Sequence, residues 1–340
     1  MLLIFLLFAC GDFESKGPTH SLTAKELEEI HEKTVLMPDN WSVPKTGLVP
    51  KMNYEDHRLL KAEALFQAEQ GMESAKLLMD AIKEDPDFVA AHSLLSAVLI
   101  QLGDVPQATI AAEKVVELAP SAWSHCNLGT VYILAESFAA AKVQFETALH
   151  LNPKYFLALR NLGSIAYQSK EYGAAESYFR QFIRIEPEDT YAYVAYGQVL
   201  AEQGKFEEAK EVYLYRLQEL EWDDEAQKIT PSGLVLDLPL ALAEVYRRQR
   251  YIDESLRWFM QTIEWSWTYN GHWTSEVAYA DQAYKRLVEV LMSLPNPERR
   301  RHLVKIEEWF QQKQSSIPVM SKGLEEQRFI QWLQTVDVGP

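Results

Sequence analysis

The sequence predicts an all-α fold, a right-handed α-solenoid of stacked helix hairpins with capping helices at its C-terminal end. Prolines that would stop helices recur every 33 or 34 residues. Three further series inside helical patterns share that period, and independent series with one period indicate a repeat. The prolines are Pro86, Pro120, Pro153 and Pro187; the series are Ala62, Ser96, Gly129, Gly163, Gly197 and Ala243; Ser74, Ala108, Ala141, Ala175, Ala209 and Ser255; and Leu78, Ala112, Phe145, Phe179, Tyr213 and Phe259.

Each period is interpreted as two antiparallel helices joined by a short turn. Small residues are expected where the two helices touch, and aromatic residues are expected to fill the gaps between one pair and the next. Gly103-Asp104 and Gly204-Lys205 fall at the predicted turns. Because one pair cannot bury its apolar face alone, the pairs must stack.

Two repeats carry the pattern most clearly, and it resembles the tetratricopeptide-repeat (TPR) family. One reads Asn127-Leu128-Gly129 with Tyr132, Phe138, Ala141, Phe145, Ala148 and Pro153, and the next reads Asn161-Leu162-Gly163 with Tyr172, Ala175, Phe179 and Pro187. The resemblance covers five repeats over 54–221 and a sixth, degenerate one over 236–268. It implies protein–protein interaction through a concave groove lined by the first helix of each pair.

The remaining segments are assigned from composition and spacing. Residues 1–10 are interpreted as a signal peptide, 11–53 as a tether with one short helix, and 269–340 as capping helices. The step into the sixth repeat is 46 residues, one period plus 12, so 222–235 is predicted to be an inserted, exposed loop. Such a loop is either a tolerated insertion or a partner contact.

The net charge of −16 argues against nucleic acid as a partner, because phosphates require a basic surface. The sequence contains no zinc motif, no glycine-rich phosphate loop and no nucleophile elbow. We therefore expect no metal, no cofactor, no small-molecule substrate and no enzymatic activity. Two cysteines give no disulfide framework, and Cys126 is expected to be a small packing residue.

The N-terminus is an apolar run, Leu2 to Ala9, followed by Cys10-Gly11-Asp12. Leu7-Phe8-Ala9-Cys10 resembles the lipobox of bacterial lipoproteins, which implies lipidation (palmitate) at Cys10 and a membrane anchor without a spanning helix. No basic residue precedes the run, and Phe8 is bulky for this motif. The alternatives are an ordinary cleaved signal or a short uncleaved anchor.

Candidate groove residues follow from the family resemblance, since they lie on predicted first helices. Asn127 and Asn161 are one period apart, and their amides suit the main chain of an extended peptide. The opposing interpretation is a merely solvated face. The candidates are Asn127, Arg160, Asn161, Ser164, Tyr167, Gln168, Tyr191, Gln198, Glu202, Glu244, Arg247 and Arg248.

Two C-terminal features are candidate partner surfaces. The first is an aromatic patch, predicted either to face a partner or to join the core, that consists of Trp265, Trp267, Tyr269 and Trp273. The second is the basic run Arg299-Arg300-Arg301-His302 at the start of a helix that Asn296 and Pro297 open. It is either a solvated cap or a site for an acidic partner or lipid headgroups.

The sequence therefore favours a lipid-anchored, non-catalytic scaffold of the bacterial envelope that binds a peptide or helix in the groove. It would face the periplasm, from the outer membrane more readily than the inner; a soluble periplasmic or secreted protein is the alternative. The rival functions are a permanent subunit of a pilus, secretion or polysaccharide-export complex that docks through the Trp-rich C-terminus, and an enzyme with a C-terminal site.

Overall fold

The computed structural model describes residues 57–221, 234–268, 274–313, 327 and 329–332, and these contain helices and turns but no strand. The fold is an all-α solenoid of helix hairpins. The helices are α1 His57–Gln67, α2 Gly71–Glu84, α3 Val89–Gln101, α4 Val105–Leu118, α5 Ala122–Leu134, α6 Phe138–Leu151, α7 Phe156–Gln168, α8 Tyr172–Ile185, α9 Thr190–Glu202, α10 Phe206–Glu221, α11 Leu234–Arg248, α12 Ile252–Thr268, α13 Thr274–Met292 and α14 Asn296–Lys313.

The helices pair in chain order, and two compact units contain them. In the N-terminal unit, whose described part is 57–187, helices α1 to α8 form repeats 1 to 4. The C-terminal unit begins at Glu188 and holds α9 to α14. Within each unit every helix packs on the next one in sequence, as stacked hairpins require. Of the predicted loop over 222–235, residues 222–233 lie outside the described residues, and Leu234 and Val235 belong to α11 rather than to a loop.

The periodic prolines lie where the sequence predicts them, just after a second helix. Helices α2, α4, α6 and α8 end at Glu84, Leu118, Leu151 and Ile185, and a proline stands two residues beyond each end. Proline has no N–H to continue the ladder and disfavours helical geometry in the residue before it. The period of the array is thus enforced by a local backbone rule.

The turn within each repeat passes through one residue in the left-handed region. Gly103 and Gly204 have φ of 79° and 78°, as expected for glycine. Equivalent residues of the other repeats adopt the same conformation without that advantage: Glu69, Glu136, Lys170 and Arg250, with φ from 56° to 65°. Turn geometry is therefore common to all six repeats, while the glycine signal marks only two of them.

The aromatic series packs inside the pairs, which corrects the expectation that aromatics fill the gaps between pairs. A Cβ built on Gly129 would lie 2.7 Å from the Phe145 ring of the same pair. At Gly163 the Phe179 ring would be 2.8 Å away, and at Gly197 the Tyr213 ring 2.2 Å away. In each of these pairs, the glycine of the first helix is matched by an aromatic residue 16 positions later on the second helix. The aromatic ring occupies the space that a side chain at the glycine position would need.

The C-terminal pair α13 and α14 closes the described array. Helix α13 packs on α11 and α12, and α14 packs on α13. Phe329 lies stacked on Phe310 with ring centroids 3.7 Å apart, and Trp332 lies 5.4 Å from Phe329. Both residues are 5% exposed, so they cover apolar surface of the last pair, as a capping segment should. None of the described helices is long and apolar enough to cross a membrane.

Candidate functional site

The candidate site is built on the first helices of repeats 3 and 4, α5 and α7. Asn127 and Asn161 stand two positions before the glycines that receive the aromatic rings, Gly129 and Gly163. Each glycine holds its first helix against the second helix of the same pair, so the two asparagines occupy the same register position in neighbouring repeats. We call Asn127 and Asn161 the amide pair.

Neither member of the amide pair has a hydrogen-bond partner among the described residues. Asn127 is half-buried and Asn161 is only 6% exposed. A buried amide without a partner is costly, by roughly 1–3 kcal/mol, so this arrangement needs an explanation. Unlike the hydroxyl of Ser255, which is sealed from solvent, the Asn161 amide still reaches the surface.

The fold itself does not require an amide at this register position. Repeats 1 and 2 have Leu60 and Leu94 there, while repeats 5 and 6 have Ala195 and Ala241. These repeats form the same hairpins as repeats 3 and 4. The hairpin therefore forms without an asparagine at this position. A polar residue that the fold does not need is expected where a side chain serves binding.

The other predicted groove residues of the N-terminal unit have mixed environments. Arg160 is half-buried, and its carbonyl accepts a 2.9 Å hydrogen bond from the Ser164 hydroxyl of the same helix. Tyr167 is half-buried with its ring centroid 5.9 Å from that of Tyr172, and Gln168 is exposed. The Ser164 hydroxyl already has a partner within its own helix, which leaves the amide pair as the clearest candidates.

In the C-terminal unit the charged candidates pair with each other. Arg248 donates to Glu202 across α11 and α9 at 2.7 Å, and Arg247 donates through Nε to Glu244 at 2.8 Å. That hydrogen bond is the main reason why the pKa of Arg247 is raised above its ordinary value. Tyr191 is half-buried and Gln198 exposed. The Arg248–Glu202 pair links successive hairpins, whereas the Arg247–Glu244 pair lies within α11. The charges of all four side chains are therefore already compensated.

Charge separates the two kinds of helix in repeats 2 to 4. The first helices α3, α5 and α7 contain one charged side chain, Arg160, besides His92 and His125. Both histidines have local partners, the Pro86 carbonyl at 2.9 Å and the Gln144 side chain at 2.8 Å. The second helices carry Glu113, Lys114, Glu117, Lys142, Glu146, Glu176, Arg180 and Arg184.

A row of apolar residues lies on the first helices, and only one of them, Tyr167, was predicted from the sequence as a groove residue. Phe66, Ile100, Ile133 and Tyr167 occupy one register position in repeats 1 to 4, spaced by 34, 33 and 34 residues, and all four are half-buried. We call them the apolar row. The periodicity that revealed the small-residue series would also have revealed the apolar row. From sequence alone, however, its residues would have been interpreted as core residues, because their partial exposure is known only from the structure.

A cross-repeat hydrogen bond was also missed. The Tyr132 hydroxyl of α5 donates to Glu113 of α4 at 2.7 Å. Hydrogen bonding to the carboxylate, then desolvation, raises the pKa of Tyr132 to about 12. Repeats 2 and 3 are thus joined by a polar clamp as well as by apolar packing. Sequence spacing gave no signal for it, because the two residues are 19 positions apart in different repeats.

The predicted aromatic patch receives little support. Trp265 is half-buried, the side chain of Trp267 is outside the described part, and Tyr269 and Trp273 lie outside the described residues altogether. The other tryptophans in the described part of this unit belong to the core: Trp332 is buried, and Trp258 and Trp309 pack partly buried against the same cluster. Packing among α12, α14 and the segment 329–332 accounts for these three.

The basic run divides into separate roles. Arg299 donates to the carbonyls of Leu291 and Leu294 at 3.2 Å, so it caps the C-terminal end of α13, where a cation is favoured. His302 is 5% exposed with Nδ1 3.6 Å from Asp253. Arg300 and Arg301 are exposed. Arg299 and His302 therefore have structural contacts, and Arg300 and Arg301 are the part of the run that stays exposed, as a solvated cap or as a site for an acidic partner or lipid headgroups.

No group of three or more potential metal ligands occurs in the part of the chain that the structure describes. Cys126 is 2% exposed and packs in the core of repeats 3 and 4, as predicted.

Comparison with known proteins identifies the repeats. The tetratricopeptide repeat family matches residues 59–122, 126–190 and 171–221. The chain is a tetratricopeptide-repeat protein. Repeats of this family generally act as non-catalytic scaffolds that bind other proteins or peptides.

Similar proteins include two human relatives and one solved structure. Human tetratricopeptide repeat protein 6 is 28% identical over 111 residues, which are 33% of this chain and 21% of that protein. Human protein O-mannosyl-transferase TMTC3 is 31% identical over 156 residues, 44% of this chain and 17% of that protein. The chain thus spans about a fifth of the length of the curated relatives it matches. The crystal structure of PilW, a type IV pilus biogenesis factor, superposes with a TM-score of 0.51 at 16% identity, over 62% of this chain and 92% of that one.

Proposed function

We propose that this protein is a non-catalytic scaffold that binds an extended peptide segment of a partner through the first helices of repeats 3 and 4. One observation carries the proposal: the amide pair is repeated in register, lacks hydrogen-bond partners in the described residues, and is not needed by the fold. Each asparagine side chain offers one acceptor and two donor hydrogens, which match the N–H and C=O groups of an extended main chain.

An extended ligand fits this pair better than a helical one. A helix satisfies its own main-chain groups, so it would leave the two amides unpaired on binding. An extended segment exposes those groups to its surroundings. Burying them against unpartnered asparagines therefore satisfies both sides at once.

We also propose that the protein has no catalytic activity. TMTC3 is a transferase by name, but the matched region is 17% of its length. The candidate groove residues of this chain are amides, hydroxyls, aromatic rings and the guanidinium of Arg160. The other charged candidates, Glu202, Glu244, Arg247 and Arg248, are joined in ion pairs. We propose that these residues bind and stabilise and do not catalyse.

The proposed location is the bacterial envelope, through a lipid anchor on Cys10. The support is the sequence alone: an apolar run from Leu2 to Ala9 ends in Ala9-Cys10-Gly11. Acylation would tether the repeats to a bilayer at their N-terminal side. The likeness to a pilus biogenesis factor concerns the fold and selects no partner.

Affinity capture tests the binding proposal. The intact protein, the double variant Asn127→Ala/Asn161→Ala and the control Gln181→Ala would be immobilised and exposed to bacterial membrane extracts. Gln181 is an exposed amide on the second helix α8, outside the proposed site. We expect partners on the intact protein and on the control but not on the double variant. Equal capture by all three would refute the groove as the recognition surface.

Metabolic labelling tests the anchor. Cells expressing the intact chain or Cys10→Ser would be fed a clickable palmitate analogue, and the purified protein would be analysed for label and mass. We expect label on the intact chain, none on the variant, and release of the variant from the membrane fraction. Unlabelled intact protein would leave the scaffold proposal standing without its anchor.

A further inference from the structure

Residues 329–332 form a short helical segment that packs against α13 and α14 of the C-terminal unit. Phe329 and Trp332 are three positions apart, so their side chains lie on one face of a helix. Each is only 5% exposed, whereas Ile330 between them is 54% exposed and Gln331 is exposed as well. We call residues 329–332 the capping segment. Two aromatic rings are the buried part of it.

The surface beneath the capping segment comes from α13 and α14. The Phe310 ring of α14 stacks on the Phe329 ring with centroids 3.7 Å apart, and the Tyr284 ring of α13 lies 6.2 Å from that of Trp332. Tyr284 and Phe310 belong to the same apolar core as Ile306. We call Tyr284, Ile306 and Phe310 the acceptor face, since this core receives both rings of the capping segment.

We propose that the acceptor face is a binding site for a short helical segment with aromatic residues at positions i and i+3, and that the capping segment of a second copy of the chain occupies it by exchange. Two copies would then each place their capping segment on the other. The inference does not depend on the amide pair, which lies in the other compact unit.

The structure shows what fits this face, because the capping segment is bound there and its two rings fill it. A second copy carries the same Phe329 and Trp332 at the same spacing. Its capping segment would therefore make the ring contacts that the chain's own segment makes, as in other exchanges of an identical element between protomers. The second copy is thus the occupant whose chemistry is known to match the site.

The connection to the capping segment is long enough for exchange. Helix α14 ends at Lys313, so residues 314–328 join it to Phe329, and a stretch of that length can span at most about 50 Å. By contrast, α13 ends at Met292 and α14 begins at Asn296. A helix of the array is held to its neighbour by such a tight turn, whereas the capping segment is not.

The chain's own segment should fill the acceptor face in dilute solution. A segment tethered by a short connection has an effective concentration on the order of 1 mM for its own site. A second copy competes only when its concentration approaches that value or when the chain's own segment is weakened. Variants with a weakened capping segment therefore give the clearest test.

A fluorescein-labelled peptide of residues 323–336 measures access to the acceptor face. It would be titrated by fluorescence anisotropy with the intact chain, Trp332→Ala, Phe329→Ala/Trp332→Ala and the control Ile330→Ala. We expect the double variant to bind the peptide at least about tenfold more tightly than the intact chain and the control do, because its own segment no longer competes. Trp332→Ala should lie in between, and a peptide with both rings replaced by alanine should not bind.

Complementary variants test exchange between copies. Phe329→Ala/Trp332→Ala keeps the acceptor face and lacks the two rings, while Phe310→Ala keeps the rings and lacks the centre of the face. Each alone should sediment as the intact chain does in dilute solution. An equimolar mixture above the peptide's Kd should contain a species of twice that mass, which excess peptide should dissociate.

Circular dichroism would establish which variants are folded. If the double variant unfolds, Trp332→Ala, which keeps Phe329, takes its place, and Tyr284→Ala replaces Phe310→Ala in the same way. Equal peptide affinity for the intact chain and the folded segment variants would overturn the site, as would binding of the peptide without its rings. Peptide binding without a heavier species in a mixture of folded variants would overturn the exchange between copies. Each result leaves the amide pair to its own capture experiment.

Discussion

At the scale of single residues, the most informative positions are those where a polar side chain is buried but makes no hydrogen bond that stabilises the fold. Asn161 is buried without a partner in the described residues, and Leu94 or Ala195 stands at the same register elsewhere. Residues kept for binding commonly reduce stability in this way. The sequence predicted the pair from its spacing, but only burial distinguishes it from a solvated face.

Asn161→Leu should therefore raise the free energy of unfolding, by up to about 1 kcal/mol, since it replaces an amide with little access to solvent and no partner in the described residues by an apolar group of similar size. The same variant should lose peptide binding. Urea denaturation followed by circular dichroism measures the first effect. Destabilisation by this variant would indicate that the amide has a structural role.

Two buried serines at equivalent positions give a matched comparison. The Ser74 hydroxyl donates to the Ala62 carbonyl at 2.7 Å, whereas the buried Ser255 hydroxyl has no partner in the described residues. Ser74→Ala should lower the free energy of unfolding by ~1 kcal/mol and Ser255→Ala should leave it unchanged or higher. Equal losses in chemical denaturation would show that volume, not the hydrogen bond, matters at this register.

At the scale of helices, the pairing rule is a match between a small residue and a ring 16 positions later. Repeat 1 uses Ala62 with Leu78, and repeat 4 uses Gly163 with Phe179. The sequence displayed both series but not their contact, because periodicity gives register and not which neighbour a side chain meets. For that reason the aromatics were assigned to the wrong interface.

Gly163→Ala should destabilise the protein by about 1–3 kcal/mol, since its Cβ would lie 2.8 Å from the Phe179 ring. Adding Phe179→Leu recreates the combination of repeat 1 and should recover part of the loss. A double-mutant cycle by urea denaturation measures the coupling. Additive losses would mean that the two residues do not compete for the same space.

Helices α12 and α14 are joined by a pH-sensitive contact. Lys305 donates to Asp253 at 2.9 Å, and chiefly this hydrogen bond lowers the pKa of Asp253. A carboxyl with a lowered folded-state pKa stabilises above its ordinary pKa, and that contribution disappears as pH falls through the folded value.

Because both side chains are more than half exposed, the effect should be small, at most ~1 kcal/mol. Lys305→Met should therefore lower stability slightly at pH 7 and leave stability at pH 2.5 nearly unchanged. Thermal unfolding of the variant and the intact protein at both pH values measures this difference. An equal loss at both pH values would point to lost packing of the lysine stem instead.

At the scale of the whole molecule, the sequence predicted the array well and its ends poorly. The period, the helix ends and the order of the hairpins follow from local backbone rules: a proline such as Pro86 ends a helix, and a glycine such as Gly103 allows a turn. Such rules depend on neighbouring residues only, so the sequence shows them directly. Trp309, Trp332 and Arg299 were ambiguous because their roles depend on which distant helix they meet. The candidate site lies between these cases. Periodicity placed Asn127 and Asn161 at one register position of neighbouring first helices, but the sequence could not show that they lack hydrogen-bond partners among the described residues.

The most direct test of this account is the Kd of one peptide from a captured partner for the intact protein and for Asn127→Ala/Asn161→Ala, with Gln181→Ala as the control. Two lost amide contacts at about 1–1.5 kcal/mol each predict a Kd raised roughly 30- to 150-fold in the double variant and unchanged in the control. A folded double variant that binds within about twofold of the intact protein would contradict the account.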